Sequence, residues 1–144
     1  MIISGDDGAI YAQLVKHKDY ANIHNKTEWF GNQSYPLQGS LMCYGAHKVF
    51  KAHRHVMNPR IINKTQECFV VVKGVLSVTI LTKCDDTVVN MGTLVAEAGD
   101  AIFVWRGFHE VKILEDETMA YEIKAGQFNG VISDDKEFLN NESL

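Results

Sequence analysis

Lys51 to Gly74 reads KAHRHVMNPRIINKTQECFVVVKG, two histidines one residue apart followed by a carboxylate that opens an apolar run. Successive side chains of a strand point to opposite faces, so an extended His53-Arg54-His55 projects both imidazoles from one side, about 7 Å apart by strand rise. Glu67 shares its parity with Phe69 and Val71, which places a carboxylate on an interior face where it needs a partner. Further on, HEVKIL puts His109, Val111 and Ile113 on one parity and Glu110 and Lys112 on the other, so His109 is also expected on the buried side. Three imidazoles and one carboxylate from three strands suit one divalent ion of borderline softness.

The same residues carry a family resemblance. The HRH pair, Glu67 ahead of Gly74, and GDAIFVWRGFH resemble the two motifs of the cupin superfamily, across roughly residues 45–126. TQECFVVVKG with HEVKILEDETMAYEIKAGQF is similar to a group of small bacterial cupins associated with surface-polysaccharide and sugar-nucleotide pathways. The resemblance implies an all-β fold, a double-stranded β-helix or jelly-roll barrel of two antiparallel sheets, with metal ligands at His53, His55, Glu67 and His109. It departs from the family pattern in two places. Eleven residues separate His55 from Glu67, more than the first motif has, and WRGFH lacks the proline and the full spacing of the second.

The chain of 144 residues suits one domain, long enough to bury roughly 70% of the surface it exposes unfolded. The expected parts are an N-terminal segment, 1–38, packing on the barrel, a barrel core, 39–126, and a C-terminal tail, 127–144. No apolar stretch is long enough for a membrane helix, and MIISGDDGAIYAQL lacks the blocks of a secretory signal, so a cytoplasmic protein is expected. A net charge of −4 without a basic patch argues against nucleic acid as a partner. Cys43, Cys68 and Cys84 have neither even number nor CxxC spacing, which favours free thiols.

Strands are expected at Ile10–Val15, at Leu37–Tyr44 and through ECFVVV, VLSVTILT, VVNMGTLVAEAG, AIFVW, HEVKIL and MAYEIKAG, with Gly92 a turn or bulge and Glu115–Glu117 a hairpin tip. Residues 16–38 yield no assignment, and the acidic end, SDDKEFLNNESL, reads as a frayed tail or short helix. CFVVV is apolar on both parities, so Cys68, Val70 and Val72 need cover from the N-terminal segment or from a second subunit, hence an expected homodimer. In MAYEIK either Tyr121 and Ile123 fill the core, the commoner arrangement, or Glu122 and Lys124 line a polar cavity, as the related cupins' similar Glu-x-Lys implies. Arg54 and Arg60 flank the histidines and can hold an anionic group. His17, His24 and His47 read as ordinary histidines.

Three functions compete. The first is a metal-binding cupin acting on a small molecule, by the resemblance a sugar or sugar nucleotide, with one divalent ion (zinc, manganese, iron or nickel) and Arg60, Glu122 and Lys124 in the substrate pocket. The second is a metal-free sugar-nucleotide isomerase or epimerase in which His53 or His55 acts as acid and base and Glu67 orients it. The third is a non-catalytic carbohydrate- or metabolite-binding module.

Overall fold

The computed structural model describes residues 1–32, 34–59, 61–126 and 137–139. Among these residues ten strands run in chain order: β1 (Ile2–Ser4), β2 (Ile10–Val15), β3 (Lys26–Phe30), β4 (Gly39–Cys43), β5 (Glu67–Lys73), β6 (Val75–Cys84), β7 (Thr87–Glu97), β8 (Ala101–Val104), β9 (Phe108–Ile113) and β10 (Met119–Lys124). Among the described residues there is no α-helix, and one 3-10 turn spans His17–Tyr20. Five strands form one antiparallel sheet in the order β1-β2-β8-β5-β10, three form another in the order β7-β6-β9, and β3 and β4 pair as a hairpin.

Period-two patterning explains the layers. Ala12, Leu14, Phe69, Val71, Ile102 and Val104 of the large sheet meet Leu76, Val78, Ile80, Leu94 and Ala96 of the small one in a buried core. The opposite parity of the large sheet supplies Val15, Cys68 and Phe103, which pack with Trp105 and Phe30 under Leu37, Leu41, Tyr20 and Tyr35. CFVVV is therefore apolar on both parities because both its faces are covered, one by the small sheet and the other by the β3–β4 side of the molecule. Each large apolar side chain buried this way contributes about 1.5–3 kcal/mol. The cover stops short of the strand's end, and Val72 is half exposed.

Trp105 fastens the outer layer. Its ring stacks on Phe103 with centroids 5.4 Å apart, and its Nε1–H donates to the Leu37 carbonyl at 3.1 Å. Gly31 has φ +82, and a Cβ there would lie 2.5 Å from Trp105 Cζ2, so the close approach of hairpin and indole requires glycine.

At the β7–β8 turn, Asp100 is 2% exposed. Its Oδ1 accepts from the His17 backbone N–H at 3.2 Å and from His17 Nδ1 at 3.1 Å, and its Oδ2 accepts from the Glu97 N–H at 3.2 Å. One buried carboxylate thus ties the 3-10 turn to the end of the core. Gly92, with φ +140, sits at the bulge where the β6–β7 register slips.

Several expectations change. Gly39–Cys43 pairs with Lys26–Phe30 in the outer hairpin, and β1 and β2 are members of the large sheet, so residue 38 marks no boundary between a barrel and a segment laid on it. Glu115–Glu117 is a crossover, not a hairpin tip, because β9 pairs with β6 and β10 with β5. The extended-strand reading of His53 and His55 also fails, since residues 48–59 carry no regular structure. Of the C-terminal tail, only residues 137–139 fall among those described.

Candidate functional site

The register of β9 against β6 sets where His109 points. Ile80 lies opposite His109, Val78 opposite Val111 and Leu76 opposite Ile113, and the three β6 residues belong to the core. Directly paired residues share a face, so His109 looks inward, as the HEVKIL alternation predicts. Glu67 opens β5 on the face of Phe69 and Val71. The two meet, with His109 Nε2 2.8 Å from Glu67 Oε2, side-chain exposures 30% and 12%, and the Phe69 ring centroid 6.2 Å from that of His109.

Gln66 fixes where β5 begins. Its side chain is buried, its Oε1 accepts from the Leu37 N–H at 2.9 Å, and its carbonyl accepts from the Ala125 N–H at 2.8 Å. The residue before the carboxylate is thus held from two sides. It escaped the sequence reading because a lone glutamine beside an apolar run carries no pattern.

β10 resolves the choice in MAYEIK. Lys124 lies opposite Glu67 and Glu122 opposite Phe69, on the inner face, whereas Tyr121 and Ile123 oppose Val70 and Cys68 on the outer face and are 68% and 50% exposed. The polar pair, not the commoner aromatic filling, faces the Glu67–His109 contact.

The other two expected ligands lie elsewhere. His53 and His55 are exposed, their ring centroids 5.4 Å apart, and His53 Nδ1–H donates to the Lys51 carbonyl at 2.9 Å. The four expected ligands therefore form two pairs, and among the described residues no group of three or more His, Cys, Asp and Glu side chains gathers to hold a metal. Arg54 is exposed in the same segment, and Arg60 falls outside the described residues.

The assembled half has a definite chemistry. With Nε2–H donated to the carboxylate, neutral His109 keeps Nδ1 as its acceptor nitrogen. The donor types also suit a divalent ion, provided Nε2 gives up its proton. Elsewhere, burial pushes the Cys68 thiol up to about 12, which keeps it a protonated core residue, and the three cysteines are free.

Among the described residues no helix is long and apolar enough to cross a membrane. Comparison of the chain with protein-family models, with curated proteins and with solved structures finds no match.

Proposed function

We propose that the chain is a metal-binding cupin that acts on a small molecule, with Glu67 and His109 as the standing half of its site. The observation that carries this reading is their 2.8 Å contact on the inner face of the sandwich. Two features support the double-stranded β-helix: β7, β8, β9 and β10 alternate between the small and large sheets, and among the described residues no strand lies beside the outer edge of β9.

His53 and His55 would complete the ligand set when residues 48–58 extend along that edge. Val49, Phe50, Val56 and Met57 are exposed in this stretch, while Val111 and Ile113 stay open on the inner face of β9. Joining them buries apolar surface on both sides and pairs open backbone groups. A divalent ion held there would polarise a substrate oxygen and acidify bound water. Glu122 and Lys124, on the same face, would meet the polar groups of a sugar or sugar nucleotide, and a cytoplasmic setting accords with free thiols.

The metal-free acid–base enzyme is the second reading, and the same contact favours it: a carboxylate orienting an imidazole is the arrangement of a general base. In that case His109, the histidine Glu67 touches, replaces His53 and His55 as the base.

Calorimetric titration of the chelator-treated protein with zinc, nickel and manganese separates the two. The metal reading expects one site per chain, weakened more than tenfold by Glu67→Gln and unchanged by Glu110→Gln. No heat with any ion, or equal effects of the two substitutions, would overturn it.

A further inference from the structure

We infer that β10 is a dimerisation edge, through which two copies of this chain pair antiparallel about a two-fold axis at Ile123 and join their five-stranded sheets. β10 ends the large sheet with nothing described beside it. Its outer face carries Tyr121 and Ile123, and with Val72 of β5 these form an exposed apolar strip where the cover of the large sheet stops. Two other sheet ends are poorer edges for pairing: β1 has only three residues, and the long edge of β7 is interrupted by the bulge at Gly92.

The hydrogen bonding of β10 fixes which registers are possible. The Ala125 N–H donates to the Gln66 carbonyl, so the odd-numbered residues of β10 direct their backbone groups to β5. Ala120, Glu122 and Lys124 therefore turn theirs to the open edge. A symmetric pair of such edges must oppose even-numbered residues to even-numbered residues. With the axis at Glu122, that carboxylate faces its own copy, which is repulsive. With the axis at Tyr121, Glu122 faces Ala120. With the axis at Ile123, Glu122 faces Lys124 of the second copy twice over and Ile123 meets Ile123, so charge and apolar contact both match. A second copy fits this edge because the edge is complementary to itself.

The inference does not depend on the metal reading, since the edge pairs whether or not an ion is bound. Sedimentation equilibrium at micromolar concentration tests it, alongside amide exchange by NMR. The expected mass is twice 16.2 kDa, with slow exchange at the Glu122 and Lys124 amides. Glu122→Lys and Lys124→Glu each turn two attractions into repulsions, so each should weaken the dimer about 30-fold. The double exchange should restore it. Far-UV circular dichroism confirms that each variant is folded.

A wild-type mass of one chain overturns the proposal. If that monomer protects the same amides, residues of this chain outside β10 cover the edge instead. A dimer indifferent to Glu122→Lys, or a folded double exchange that stays monomeric, overturns the interface.

Discussion

Replacing Asp100 with Ala removes a single carboxylate and strands three donors. The His17 and Glu97 backbone N–H groups and His17 Nδ1 all bond this side chain, which is 2% exposed. These two backbone bonds are partly buried, and such an N–H left without a partner costs about 1–2 kcal/mol, so the two together imply a loss of about 3–4 kcal/mol at most. His17 itself is 43% exposed, and its ring bond adds at most about 1 kcal/mol after screening by water. Asp100→Asn keeps one acceptor oxygen and should lose about half as much. Urea unfolding followed by circular dichroism measures this. With a denaturant slope of about 2 kcal/mol per molar, the Ala midpoint should fall by up to about 1.5–2 M and the Asn midpoint by up to about 1 M. His17→Ala should move it by less than about 0.5 M, because both backbone bonds survive. If Asp100→Ala unfolds within about 0.5 kcal/mol of the wild type, the carboxylate is not the tie between the 3-10 turn and the core.

Three further outcomes are expected. The Cys68 thiol is pushed up to about 12 by burial, whereas the unfolded thiol ionises near 8.5, so the unfolded chain binds fewer protons between those values and stability should fall as pH rises above about 9. The loss of up to about 1.4 kcal/mol per pH unit should be absent in Cys68→Val, and parallel curves for the two proteins would refute it. Trp105→Phe should cost about 1.5–3 kcal/mol by orphaning the Leu37 carbonyl and thinning the outer layer, read as a lower melting temperature with reduced near-UV dichroism. Limited trypsin digestion should cut first at Lys48, Lys51 or Arg54, in the stretch without regular structure, and added divalent metal should slow those cuts; cleavage elsewhere first, or no protection by any ion, would count against an extending segment.

The legible parts of the sequence were those with a strict period of two. HEVKIL and ECFVVV put His109 and Glu67 on inward faces, and the ladders between β6 and β9 and between β5 and β10 keep them there. Ile10–Val15 appears with the bounds its apolar run marks, and the bulge at Gly92 lies where glycine interrupts β7. What escaped was set by distant partners. β3 has an ordinary polar pattern, and only β4 and the Trp105 cluster explain why Lys26–Phe30 is a strand. The Asp100–His17 tie joins residues 83 apart in sequence. The side on which Tyr121 falls depends on the β5 register, since MAYEIK alternates equally well in either orientation. His53-Arg54-His55 has the spacing of a strand, but a strand also needs a neighbour, and the described residues give it none.

Elemental analysis of the purified protein, free of any histidine tag, tests the proposed metal site most directly. The account predicts close to one divalent ion per chain, lost from His109→Ala and from His53→Ala alike, because both pairs contribute to one site. Wild-type protein that neither carries nor takes up metal would contradict it, as would a His53→Ala variant that keeps its full complement.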